Sequence, residues 1–235
     1  MRLVILCVLL FTARIAAAAD APDLYYLIFL RPDPGRQPLA QKDAERIQAA
    51  HMANIHDMAA RGILVAAGPF GDAPPEISGI FVFKAASLED ARSIAAADPT
   101  VAERRNRVDV HPWRGPKGIG EEYFRLHQTH PETPEGMGIQ PFCILLRGPA
   151  WKGNGADHEA ALAAQDAWLE RLRKSGKLAA GGAVEGDSDL VAVEIFKRIP
   201  LEEARSLLDE SPAVKAGILR AEYHRWWCAE HVLPW

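Results

Sequence analysis

The 235-residue sequence predicts an α+β chain built from two tandem βαββαβ halves packed sheet against sheet. Three observations predict it. The chain repeats itself, each copy carries the same order of elements, and that order leaves each copy with an apolar sheet face that the other copy can cover.

The repeat appears when residues 51–72, HMANIHDMAARGILVAAGPFGD, are set beside residues 165–187, QDAWLERLRKSGKLAAGGAVEGD. Gly62 matches Gly176, Leu64 matches Leu178, and Ala66-Ala67-Gly68 matches Ala180-Gly181-Gly182. Downstream, Pro99, Val101, Arg107, His111 and Trp113 fall on Pro212, Val214, Arg220, His224 and Trp226. Upstream, LIFLRP (27–32) resembles CILLRG (143–148), so the offset drifts only from 116 to 113. The chain is an internal duplication of about 95 residues per copy.

In the first copy, residues 24–31 are a β-branched and aromatic run, hence a strand. Residues 41–61 have helical periodicity, and Gly62 stops the helix at the position where a left-handed residue is favoured. Residues 63–67 and 77–84 read as strands. Ser87 caps a second helix, with Glu89 and Asp90 in its first turn, where the dipole favours anions. Residues 105–113 form the last strand. Residues 142–227 repeat the order, which is the ferredoxin-like arrangement. Both helices then lie on one face of a four-stranded antiparallel sheet. The other face, rich in Phe, Tyr and Leu, is expected to pack on its counterpart in the second copy. Residues 116–140, rich in Gly, Pro and charge, read as a linker with one helical turn at 121–127, between a first domain at 20–115 and a second at 141–235.

Charged residues make up 25% and hydrophobic residues 49%, with a net charge of −4. There is no basic run or aromatic platform motif for nucleic acid, which is not expected as a partner. Residues 1–19 read as a signal peptide: Arg2 supplies the positive start, residues 3–13 the apolar core, and residues 16–19 an A-x-A cleavage site. The mature chain is therefore expected in the periplasm or outside the cell, with no membrane attachment after cleavage; a retained N-terminal anchor is the competing reading, since Arg14 lies between the apolar core and the cleavage site. Cys143 and Cys228 remain after cleavage. They are placed at opposite ends of neighbouring antiparallel strands, so a disulfide between them is expected to be geometrically possible, contributing roughly 2–4 kcal/mol.

One residue breaks the pattern of the first helix. Ile47, His51, Ile55 and Met58 share one face, and an ionisable ring stands among apolar neighbours. A core histidine bonded to backbone would explain it. A general base whose second ring nitrogen is held by a carboxylate would explain it too. Asp72, which follows the second strand in GPFGD, is the candidate carboxylate, although Gly71-Asp72-Ala73-Pro74 is also ordinary turn chemistry.

The run H-x3-I-x2-M-x3-G-x-L-x2-AGP, then Asp72, SLEDAR, ADPTV and VDVHPW resembles the YciI-like (YCII-related) family from about Leu24 to Trp113; the second copy is a degenerate version. The resemblance implies a dimeric α+β barrel, with a suspected catalytic histidine and aspartate falling on His51 and Asp72. It also implies a reaction, where one exists, of the lyase or isomerase kind: chloride elimination or rearrangement of ring-cleavage compounds. In the second copy Gln165 stands at the His51 position and Ala183 at that of Pro69, and Glu185 and Asp187 are out of register with Asp72. Glutamine is no base, so one competent site per chain is expected. His158, two turns before Gln165, is expected at a solvated helix position.

Arg107, Asp109, His111 and Trp113 alternate with Val108 and Val110, so they share the face turned to the inter-sheet cleft or its rim. Arg107 and His111, with Pro69 at the start of a cleft-shaping loop, are the candidate substrate-binding residues. A ladder of Arg–carboxylate pairs is the competing reading of that face. No metal is expected: His51 and His56 are five apart, His127 and His130 lack the glutamate of an HExxH motif, and there is no CxxC. No cofactor is expected; haem, bound by other α+β barrel families, has no axial ligand that can be singled out. The expected partner is a small molecule, and the expected state is a monomer with an internal pseudo-dimer, or a higher homo-oligomer. The leading function is a lyase or isomerase, against a non-catalytic ligand-binding module of the cell envelope or a purely structural histidine.

Overall fold

Alternation of side chains along the first strand decides the layers. In β1 (Asp23–Pro32), Tyr25, Leu27 and Phe29 are buried on one face and Tyr26, Ile28 and Leu30 on the other. Such two-sided burial marks a central strand covered on both faces. The computed structural model describes residues 22–71, 76–186, 188–197 and 199–234, so the expected signal peptide and Asp72 lie outside the described residues. After β1 come α1 (Gln41–Ala60), β2 (Leu64–Pro69), β3 (Gly79–Phe83), α2 (Leu88–Ala96), α3 (Pro99–Ala102) and β4 (Asn106–Gly115). A connecting helix, α4 (Glu121–Thr129), leads to β5 (Met137–Arg147), α5 (Ala156–Lys174), β6 (Leu178–Ala183), β7 (Leu190–Phe196), α6 (Leu201–Asp209), α7 (Pro212–Lys215) and β8 (Leu219–Ala229). The sheets run β2-β3-β1-β4 and β6-β7-β5-β8, all neighbours antiparallel. The βαββαβ order is thus present twice.

Local signals sit where the sequence places them. Gly62 and Gly176 end α1 and α5 at φ 69° and 74°. Ser87 Oγ accepts the Asp90 amide at 3.0 Å and caps α2. One alignment is off by a residue. Leu27 faces His111 across the β1–β4 ladder and Phe142 faces His224 across β5–β8, so Leu27 corresponds to Phe142 rather than Cys143. A slip of one residue exchanges the two faces of a strand.

The inner faces do cover each other. Leu27, Phe29 and Trp113 of the first sheet share one core with Phe142, Ile144 and Trp226 of the second. The seams are closed by backbone. Gly71 N donates to Arg225 O and Glu185 N to Pro112 O, both at 2.8 Å, so β2 meets β8 and β6 meets β4 in a barrel. Gly68 and Gly182 make those seams possible: a Cβ there would lie 1.7 Å from Trp227 O and 1.8 Å from Arg114 O, main-chain atoms that cannot yield. Gly182→Ala, away from the cavity described below, is expected to cost at least about 1–3 kcal/mol as a fall in urea midpoint. An unchanged midpoint would mean that the seam opens freely.

Two expectations are corrected. Cys143 and Cys228 are free and buried. Cys228 pairs with Gly138, five residues from Cys143 along β5, a separation of about 17 Å against the roughly 7 Å a disulfide spans. They also face opposite sides, Cys228 the inter-sheet core and Cys143 the helix layer. Burial pushes the Cys228 thiol up to about 12 and raises Cys143 further, so both stay protonated. The linker is also shorter and better packed than its composition suggests. β5 begins at Met137, α4 is a nine-residue helix, and Ile119 is buried in the inter-sheet core.

Candidate active site

His51 reaches its position through the periodicity of α1. Ile47 and Met58 on the same face are buried, and the His51 ring stacks on Phe81 of β3 at 5.8 Å between centroids. Its Nδ1 lies 2.8 Å from Oδ2 of Asp98, a carboxylate with no solvent exposure. Asp98 stands at the N-cap of α3, followed by Pro99 in the first turn. Its Oδ1 accepts from the Thr100 amide at 2.9 Å and the Thr100 hydroxyl at 2.6 Å, and Asn54 Nδ2 donates to Oδ2 at 3.0 Å. The chain continues outward: Asn106 Nδ2 donates to Thr100 Oγ1 at 3.1 Å and Ser78 Oγ to Asn106 Oδ1 at 2.9 Å.

Burial works to raise the Asp98 carboxyl, but the hydrogen bonds from His51, Thr100 and Asn54 outweigh it and hold the group below its ordinary value of 3.8. An ionised carboxylate only accepts. The network therefore assigns the proton to His51 Nδ1 and leaves the lone pair of the neutral ring on Nε2. His51 lines a cavity of about 400 Å³ between α1, β2 and β3. A ring that lines a cavity, with Nδ1 held by a carboxylate and a lone pair on Nε2, can take a proton from a bound molecule, and the imidazolium that forms is stabilised by Asp98.

The second half supplies a control within the chain. At the positions of Asn54, Asp98, Thr100 and Asn106 it carries Trp168, Ser211, Ala213 and Leu219, and Gln165 replaces His51. Gln165 is buried, and its Oε1 accepts the Ala213 amide at 3.1 Å. It thereby serves the same short helix N-terminus that Asp98 serves in the first half. The fold is repeated without the polar network.

The other candidate residues fall into three places. Pro69 lines the His51 cavity. His111 lines a separate cavity of about 800 Å³ with Arg31 and Arg220, and burial lowers its basicity below the ordinary 6.5. Arg107 pairs with Asp109 at 3.2 Å, which also takes Arg31 at 2.6 Å, so this strand carries a ladder of ion pairs rather than free cations. His158 is buried edge-on against Trp151 at 4.6 Å, not solvated, because the loop before α5 folds over it. Among the described residues no three histidine, cysteine or carboxylate side chains are grouped to hold a metal ion, and no helix is long and apolar enough to cross a membrane. Asp98, the carboxylate that meets His51, is a partner that the sequence reading passed over. Its signal was available in the contrast of Asp98-Pro99-Thr100 with Ser211-Pro212-Ala213.

No curated protein matches the chain in sequence. Among solved structures, a chlorite dismutase variant from Candidatus Nitrospira defluvii superposes with a TM-score of 0.53 at 10% identity, covering 90% of this chain and 92% of that one. A candidate chlorite dismutase gives 0.53 at 9% identity, covering 86% and 94%. A heme-binding protein from Thermus thermophilus gives 0.48 at 15% identity, covering 89% and 90%. The chlorite dismutase likenesses, at these identities, are of fold alone: two ferredoxin-like halves closed into an α+β barrel. The family match is confined to the half that keeps the polar network: residues 24–114 match the YCII-related domain.

Proposed function

We propose that the chain is a small-molecule enzyme of the lyase or isomerase class, with His51 Nε2 as proton acceptor and Asp98 as the residue that positions and charges the ring. The observation that carries this reading is the half-buried network from His51 to Ser78, centred on the buried Asp98 and Thr100, kept in one half and dispensed with in the other. The second half shows that the fold forms without these groups, so the topology alone does not call for them in the first half. In the reaction the substrate C–H or O–H bond gives its proton to Nε2, and the electron pair stays on the substrate. A lyase expels a leaving group with that pair; an isomerase takes the proton back at another atom. Export by residues 1–19 belongs to the same proposal, and places the reaction outside the cytoplasm.

The test is turnover of small cyclic compounds, halogenated ones included, by the wild type and His51→Gln. Loss of about 10²–10⁴-fold in rate, with an unchanged unfolding midpoint, is expected of a general base. Equal turnover by the variant would reject the assignment. A wild type that binds such compounds without converting them would favour the ligand-binding module.

A further inference from the structure

We propose that the His51 cavity takes an uncharged, largely apolar molecule, enclosed on its outer side by the connector and C-terminal tail rather than by the YCII-related domain. The proposal rests on the reading of that cavity as the functional site and adds its substrate class. Among the described residues that line it there is no lysine or arginine. Its carboxylate, Glu135, already accepts the Tyr123 hydroxyl at 2.7 Å. Ser78, Thr100 and Asn106 are engaged with one another. What remains to meet a ligand is the His51 lone pair, the exposed side chains of Gln48 and His56, and walls of Met52, Ile55, Ala59, Leu64 and Ile80. An anion brought into such surroundings loses its water and meets no lysine or arginine in exchange, and the ionised Asp98 behind His51 repels it further. A neutral ring carrying one O–H or acidic C–H loses little and meets one acceptor.

The outer wall is Tyr123, Phe124, Met137, Ala229 and Val232, all beyond residue 114. Backbone fixes it in place. Gly120 N donates to Val232 O at 2.7 Å, tying connector to tail. Gly120 itself, at φ 81°, packs so close to β2 that a Cβ would meet Val65 O at 2.5 Å. The connector is thus docked on the edge strand that lines the cavity, and it shapes the part that an isolated YCII-related domain would leave open.

A matched pair of probes tests this: 2-naphthol, whose hydroxyl ionises near pH 10 as a phenol does, and 2-naphthoate, its anionic counterpart. The full chain labelled at the methionine methyls reports location, because Met52 of α1 and Met137 at the start of β5 both line the cavity, one from the YCII-related domain and one from beyond it. At pH 7, 2-naphthol is expected to shift both methyls and 2-naphthoate to bind at least tenfold more weakly. Equal affinity for the two probes, no response to either, or a response of Met52 without Met137 would each overturn the proposal. Failure of the base assignment would appear instead as unaltered turnover in His51→Gln, a result independent of how the wild type binds the two probes.

Discussion

Asp98→Ala is expected to destabilise the protein by about 2–4 kcal/mol, the combined cost of a lost helix cap and of hydrogen-bond donors left without an acceptor. The carboxylate has no exposure and takes hydrogen bonds from four donors: the His51 ring, the Asn54 amide, and the Thr100 amide and hydroxyl. Capping alone would account for about 0.5–2 kcal/mol, since the first turn of α3 loses one acceptor. The remainder comes from donors left unpaired away from water. Asp98→Asn keeps the shape and one acceptor oxygen, so its loss should fall between the two. The acid side gives the sign. The folded carboxyl lies below its ordinary 3.8, so its contribution is complete above that pH and is lost as pH falls through the folded value. Urea midpoints of wild type and Asp98→Asn should therefore differ at neutral pH and converge as pH falls below the folded value. A loss under about 1 kcal/mol in Asp98→Ala would mean that the pocket repacks around the gap and that Asp98 does not hold His51.

Asp98 also shows what a sequence reader can and cannot see. The barrel was legible because repeated glycines, strand runs and apolar faces are local signals, and two sheets with bare inner faces have few ways to hide them. Gly68 and Gly182 even mark the seams, since each must admit the main chain of the other half. Asp98 was not legible as a partner of His51 because 47 residues separate them. Read locally, an aspartate before a proline is a helix cap, which it also is. The cysteine pair failed for a different reason. β5 begins before the apolar run, among Met137, Gly138 and Gln140, whose composition reads as loop, so Cys143 falls mid-strand and on the wrong face. His158 looked exposed because a helix start is usually wet, and the loop tryptophan that covers it is not a periodic signal.

The second half, free of the polar network, carries a buried acid of its own, and its effect should be largest at neutral and alkaline pH. Glu194 of β7 faces Cys143 across the ladder as Phe81 faces Ile28 in the first half. It is 2% exposed, and its Oε2 leans over Gly181, where a Cβ would come within 1.8 Å; the first half has Ala67 in that place. Thus Phe81 over Ala67 has become Glu194 over Gly181, and Oε2 has no hydrogen-bond partner among the described residues. Burial, and then the charge of Asp166, raise this carboxyl well above its ordinary 4.5. The folded protein keeps a proton that the unfolded chain releases above that pH, so wild-type stability falls as pH rises from 4.5 to the folded value. Glu194→Gln, of the same size and without the titration, removes that slope. Its stability relative to wild type should grow by about 1.4 kcal/mol per pH unit above the ordinary carboxyl value and level off past the folded one. Urea midpoints at half-unit intervals from acid to mildly alkaline pH would show it, and parallel curves for the two proteins would place Glu194 in contact with water after all. The same divergence should be absent from Phe81 variants, because the first half put its ionised carboxylate at Asp98, where four donors hold it, and kept the strand position apolar.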